Sequence, residues 1–173
     1  MVMFRPAKTS ELAAQKSLWQ QTFGDSKAYI DHFFDRCGPH THSMVLEEGG
    51  EIRGALQLMP VTLRGKAGER YRCAYVYAVC IHPEHQRQGL GKAMVSYADF
   101  YLQEKGFDCA VTVPADPGLH RFYALQGFGE CFRNREFTVE GRPGKLSPGC
   151  VIRRCGGAEY ALQREELLKG TIH

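Results

Sequence analysis

Between Tyr71 and Lys105 an apolar run, a glycine-bearing turn and an amphipathic stretch follow one another with no spacer. Tyr71 to Ile81 is rich in Tyr and Val, the composition of a central strand buried on both faces. After Pro83 the chain reads Glu84-His85-Gln86-Arg87-Gln88-Gly89-Leu90-Gly91-Lys92. From Leu90 to Lys105 it is helical, with Leu90, Met94, Ala98, Tyr101 and Leu102 on the apolar face and Gly106 as the stop. A strand that delivers straight into a helix leaves the first helical N–H groups without intrahelical partners, at the positive end of the helix dipole. Gly89 and Gly91 keep Cβ atoms out of the approach path. The segment therefore predicts a site for an anion the size of a pyrophosphate.

Two familiar phosphate loops are excluded. A Walker A loop needs GxxxxGK[ST], but Gly91-Lys92 is preceded at the required place by Gln86 and followed by Ala93. The dinucleotide fingerprint needs a third glycine, where this chain has Met94.

Elsewhere the pattern alternates between helical and extended. Leu12, Leu18, Trp19, Phe23, Tyr29, Ile30, Phe33 and Phe34 recur at helical spacing between Ser10 and Cys37. Gly24-Asp25-Ser26 divides that run into two helices, with Asp25 or Ser26 able to cap the second. Met44 to Glu48 and Ile52 to Leu63 read as strands joined across Gly49-Gly50. Phe107 to Val113 is a short buried strand, and Asp116-Pro117 opens a helix that ends at Gly127. Phe128 to Val139 reads as strand, 141 to 149 as loop, and Ala158 to Lys169 as a last helix. The order helix, helix, three antiparallel-type strands, helix, strand, helix, strand is mixed α/β.

Composition narrows the class. With 173 residues and 43% hydrophobic content, one domain can bury a full core, and a disordered tail or a coiled coil is excluded. A net charge of only +3 argues against a nucleic-acid binder. No apolar run is long enough to span a bilayer, and the N-terminus lacks a secretory h-region, so a cytoplasmic protein is expected. Seven cysteines at irregular spacing, without a CxxC pair, fit reduced thiols in that compartment.

The run Gln86-x-x-Gly89-x-Gly91 after Val79-Cys80-Ile81-His82-Pro83 resembles the acyl-CoA signature of the GNAT N-acetyltransferase superfamily. A second segment, Phe122-Tyr123-Ala124-Leu125-Gln126-Gly127-Phe128, is similar to the F-Y-x-x-x-G-F element of the same family. The resemblance covers about Val45 to Phe132. It implies a GNAT fold (α/β, or α+β), with a mixed, mostly antiparallel central sheet and helices on both faces. One domain over 1–173 follows, with its core in 1–140 and a C-terminal loop and helix in 141–173. That tail would pack on the domain, bridge a homodimer, or begin a further region of a longer acetyltransferase.

The resemblance also implies roles. Acetyl-CoA would be the co-substrate, without a metal. The N–H groups of Arg87, Gln88, Gly89, Leu90, Gly91 and Lys92 would grip its pyrophosphate, with charge added by the side chains of Arg87 and Lys92. The strand edge at Val79, Cys80 and Ile81 would pair with the pantetheine arm, and an N–H near Ile81 would stabilise the carbonyl oxygen. Tyr123 stands where relatives carry the acid that protonates the departing thiolate. The position of the glutamate base of protein-lysine acetyltransferases falls on Tyr75, a poor base at neutral pH with an ordinary tyrosine value near 10. Water-relayed deprotonation ordered by Tyr75, Tyr77, His82 or Glu84 is the alternative. Some of the N-terminal helix stripe would line the acceptor cleft.

Cys37-x-x-His40-x-His42 and His82-x-x-His85 lack a paired structural half-site and read as surface histidines. Cys80 and Cys109 read as small core hydrophobes, and Asp116 as a helix cap. The expected function is acetyl transfer from acetyl-CoA to a primary amine, favouring a small molecule over a protein amine. A non-catalytic acyl-CoA-binding regulator is the rival reading.

Overall fold

The structure, a computed structural model, describes residues 1–131, 138, 149, 151 and 153–171. Five strands form one sheet in sequence order: β1 (Val2–Pro6), β2 (His42–Glu48), β3 (Glu51–Arg64), β4 (Arg70–Ile81) and β5 (Cys109–Val111). All neighbours are antiparallel except β4 and β5, which run parallel. A parallel pair needs a crossover, and α3 (Leu90–Glu104) supplies it. The other helices are α1 (Leu12–Phe23), α2 (Lys27–Arg36), α4 (Pro117–Ala124) and α5 (Gly157–Leu167).

The two faces of the sheet bury different partners. Met44, Leu46, Leu56, Leu58, Ala74 and Val76 pack on one side with Met94, Ala98 and Leu102 of α3. Val45, Ala55 and Cys80 pack on the other with Leu18 of α1, beside a second cluster of Trp19, Ile30, Phe33 and Phe34. Period-two alternation along β2 and β3 produces this division, so the mixed sheet with helices on both faces is as expected. Close packing against α3 also explains one glycine. A Cβ on Gly54 would lie 2.8 Å from Ile81 Cδ1, 3.1 Å from Leu46 Cβ and 3.2 Å from Met94 Sδ.

β4 breaks its own alternation. Ala55 pairs with Cys80, but Gln57 pairs with Tyr77, so β4 carries one extra residue there. Ala78 takes up the bulge with φ 48°. Before it, Ala74 and Val76 face α3 while Tyr77 packs beside the Trp19 cluster. After it, Ile81 faces α3 and Cys80 faces α1. A parity change of this kind is what one inserted residue imposes.

Sequence patterning missed β1, whose five residues pair from Val2↔Glu48 to Pro6↔Met44. Its alternation is too short to stand out, and both outer positions are exposed. The expected strand from Phe128 is not borne out over Phe128 to Cys131, which have no strand pairing; 132–137, 139 and the expected loop at 141–148 lie outside the described residues. The Phe107 to Val113 strand contracts to Cys109–Val111, and Cys109 is only half-buried. Of the two proposed caps, Ser26 holds α2 by accepting from the Tyr29 amide, while Asp25 accepts from the Trp19 indole at 2.8 Å. Asp116 caps α4 through the Leu119 amide, as expected. α5 meets the sheet through an ion pair of Arg64 with Glu165 at 2.9 Å.

β1 is tied down by charge as well as pairing. The Arg5 guanidinium spans Glu11 and Glu47, and this holds the Glu11 carboxyl at about 2 against an ordinary 4.5. A depressed carboxyl contributes stability that is complete above 4.5 and is lost as pH falls through about 2. Because the pair is partly solvated, about 1 kcal/mol is the expected contribution. Glu11→Gln should therefore lower Tm at neutral pH by a few degrees. Near pH 2 the variant and the wild type should melt together, as measured by circular dichroism.

Candidate active site

The bulge and one hydroxyl open the sheet. β5 pairs with β4 only at Cys73↔Cys109, Ala74↔Ala110 and Tyr75↔Val111. At the next step Thr112 Oγ1 donates to the Val76 carbonyl at 3.0 Å, replacing a backbone rung. Beyond Val76 the β4 edge leaves β5, with Val79, Cys80 and Ile81 on the freed stretch. His82 N donates to Arg53 O at 2.7 Å, and Cys80 is in register with Ala55. Antiparallel alternation then aims the N–H of Ile81 away from β3, toward the gap.

The loop that follows is braced from its own strand. Gln86 Nε2 donates to the Ile81 carbonyl at 3.0 Å, and His85 N donates to His82 O at 2.8 Å. Arg87 has φ 59° and Gly89 has φ 78°, so the backbone reverses twice before α3 begins. Gly89 is the N-cap of α3 without any side-chain cap, which leaves the first-turn amides of Leu90, Gly91 and Lys92 facing outward. A Cβ on Gly89 would meet nothing within 4 Å, and one on Gly91 would touch only Phe122 and Ile81 at 3.8 and 3.9 Å. The side chains of Arg87, Gln88 and Lys92 are exposed. The loop thus offers unpaired amides and a helix dipole to solvent, in a segment that also carries two exposed cations.

Tyr123 is 7% exposed on α4, edge-on to Phe122 and Phe128 at 5.0 and 5.4 Å between ring centroids. Burial raises its phenol above the ordinary value, partly offset by a hydrogen bond with Thr112, and Tyr75 raises it further. Thr112 therefore serves both the opening of the sheet and Tyr123, and no sequence signal marked it. A cavity of about 910 Å3 lies between α3, β5 and α4 with Tyr123 on its wall. Val79, Ile81 and the Gln86–Lys92 loop do not line it.

Tyr75 and Tyr77 lie on β4 with ring centroids 5.5 Å apart. Tyr77 meets the Tyr29 hydroxyl of α2 at 2.8 Å and packs on Trp19 and Phe33 at 5.6 and 5.5 Å. Burial raises both phenols, and the Tyr29 hydroxyl raises Tyr77 further. Both stay protonated at neutral pH, which disqualifies them as bases in their own right. His82 stands seven positions beyond Tyr75, roughly 20 Å along extended chain. His82 and Glu84 therefore belong to the loop end of β4 and not to the Tyr75–Tyr123 end.

The surface reading of the histidines needs correction for three of them. His42 is half-buried, with its Nδ1 3.1 Å from the Tyr101 hydroxyl and its ring edge-on to Phe107. His82 and His85 are half-buried too, and only His40 of the four is exposed. Cys73 and Cys80 are buried, and desolvation pushes both thiols up to about 12, so neither is a nucleophile.

A freed strand edge thus leads directly into a glycine-braced helix start. The acetyltransferase (GNAT) domain family matches residues 3–131, and the chain belongs to that family of N-acetyltransferase enzymes. Over 61 residues it is 41% identical to an uncharacterized ycf52-like N-acetyltransferase of Prochlorococcus marinus. That alignment covers 35% of this chain and a third (33%) of the relative. Among solved structures, a predicted acetyltransferase from Clostridium acetobutylicum with acetyl-CoA has a TM-score of 0.66 at 14% identity, covering 80% of this chain and 96% of that one. An aminoglycoside 6'-N-acetyltransferase from Acinetobacter haemolyticus has a TM-score of 0.65 at 14% identity, covering 81% and 99%. These likenesses establish the shared fold. No helix among the described residues is long and apolar enough to cross a membrane.

Proposed function

We propose that this enzyme transfers acetyl from acetyl-CoA to a primary amine of a small molecule, by direct attack within a ternary complex. The observation that carries the reading is the β4 edge, freed by the Ala78 bulge and the Thr112 rung, running directly into the α3 amide cradle. An extended thioester arm can add to such an edge as a strand does, while its diphosphate end meets the loop. The open backbone at Gly89 fits that diphosphate, since no side chain occupies the approach.

The residues then divide the work. Amides of Arg87 to Lys92 hold the diphosphate, and the edge at Val79, Cys80 and Ile81 aligns the arm. The outward N–H of Ile81 lies at the loop end of β4, roughly 20 Å along the strand from Tyr75, and so holds an amide of the arm. Charge on the reacting carbonyl oxygen, expected near Ile81, falls instead to the β4 backbone beside the Ala78 bulge. The amine must lose a proton before attack; the Tyr75 and Tyr77 hydroxyls order water for that transfer and do not accept the proton themselves. Tyr123, protonated at neutral pH, delivers a proton to the departing thiolate. Holding both substrates in one cleft lowers the entropic part of the barrier.

The acceptor side favours a small molecule. The Tyr29–Tyr77 contact draws α2 onto the sheet, and Trp19, Phe33, Tyr29 and Tyr77 form a closed aromatic wall there. A wall of rings suits a compact amine better than an extended peptide. The related aminoglycoside enzyme is consistent with that class. The test is calorimetric binding of acetyl-CoA, followed by thiol release with a panel of small primary amines and a lysine peptide. Micromolar binding with turnover on a small amine is the expected result. Binding without turnover on any acceptor would favour a regulator, and no binding would overturn the acyl-CoA site.

A further inference from the structure

The turn between β4 and the anion loop collects side chains that acetyl transfer does not use. We propose that His82, Glu84 and His85 form a zinc site, with Glu48 orienting His85. The geometry starts with the 3-10 turn Pro83–His85, which brings one ligand atom from each of the three side chains within 4.8 Å of one another. His82 and His85 stand edge-on with ring centroids 5.7 Å apart. His82 precedes the turn and His85 ends it, with Glu84 between them.

Two independent observations point to a ligand. His82 Nδ1 is buried and has no hydrogen-bond partner among the described residues, an unsatisfied position that a metal bond would fill. His85 Nδ1 lies 3.3 Å from Glu48 Oε2 on the neighbouring β2 strand. That contact sets a carboxylate against Nδ1 and leaves Nε2 for a metal, the carboxylate–histidine arrangement found behind metal ligands. Two imidazoles and one carboxylate form a donor set suited to zinc, which leaves a fourth position for water. Zinc–nitrogen and zinc–oxygen bonds of about 2.1 Å put tetrahedral ligand atoms roughly 3.3 Å apart. The turn must therefore close by roughly 1.5 Å, which the exposed Glu84 side chain can supply by rotation. The charge balance also permits it: Glu48 and Glu84 supply two negative charges, while the nearby Arg53 guanidinium is already paired with Glu51. Bound zinc would tie the end of β4 to the β2–β3 hairpin immediately before the loop.

The test uses the full chain, stripped with a chelator and exchanged into chelator-free buffer without CoA. Zinc is titrated by calorimetry, and Co2+ is followed by its visible spectrum. The wild type is expected to bind one equivalent of zinc, with a Co2+ spectrum of nitrogen and oxygen ligation. Glu48→Gln should weaken binding about 10- to 100-fold, the range for a partner that orients a metal-bound histidine. Glu84→Gln and His85→Ala should reduce it below detection. Glu84 is exposed, so Glu84→Gln should fold normally, and zinc should raise Tm in the wild type but not in that variant. Absence of wild-type binding would overturn the site. So would equal affinity in Glu84→Gln and His85→Ala, or thiolate charge-transfer bands placing the metal on exposed Cys131 or Cys155.

Discussion

Tyr123→Phe is expected to lower kcat by about a hundredfold to ten-thousandfold, the range for loss of one positioned general acid, with little change in CoA affinity. The ring stays in place between Phe122 and Phe128, so the substitution removes one hydroxyl and little packing. Burial and the neighbouring Tyr75 both raise the phenol, so wild-type Tyr123 stays protonated past the ordinary tyrosine value of 10. The sign of the pH dependence follows. A group that must donate works below its raised value, so Tyr123 sets the alkaline limb of the wild-type profile, while deprotonation of the acceptor amine sets the acid limb. The variant should lose that alkaline limb, because the group that titrates there is gone. The measurement is a pH profile of kcat beside calorimetry for CoA. An undiminished kcat would remove Tyr123 from the proton path. A parallel loss of CoA affinity would mean that the hydroxyl holds the substrate and is not the acid.

Gly89→Glu should weaken acetyl-CoA binding by about a thousandfold. A carboxylate beside a phosphate at 4 Å costs about 4 kcal/mol near a protein surface, which converts to that factor. Backbone strain adds to it, since Gly89 sits at φ 78° and a side chain in that region costs about 1–2 kcal/mol. Nothing lies within 4 Å of a Cβ at this position, so the fold should survive and the loss should be one of binding. Gly89→Ala separates the two contributions: it carries the strain without the charge and should cost only about tenfold. Calorimetry on both variants, with circular dichroism for folding, reads the difference. Equal losses would make backbone geometry the whole effect, and unchanged binding in Gly89→Glu would place the diphosphate elsewhere.

Local chemistry was readable where neighbours in sequence make the structure. The Asp116 cap, the Gly49-Gly50 hairpin and the division of the first helical run at Gly24 each depend on a few adjacent residues, and each is found. β1 escaped notice because five residues on a sheet edge carry little pattern; what holds them is pairing with β2 and the reach of Arg5 to Glu11 and Glu47. The histidines were misread for a related reason. Spacing along the chain says nothing of Tyr101 and Phe107 closing on His42, or of Glu48 arriving beside His85 from another strand.

The sequence alone determined the glycine-braced start of α3, because a left-handed glycine and the unpaired amides of a helix start are set within about one turn of chain. The two tyrosines on β4 were equally legible as residues, but not as a site. Only the tertiary structure decided that Ala78 bulges, that Thr112 replaces a rung at Val76, and that α4 brings Tyr123 to the same end of the sheet as Tyr75. Those outcomes rest on cross-strand register and packing between residues 20 or more apart in sequence, and no local pattern in one strand encodes its partner's register.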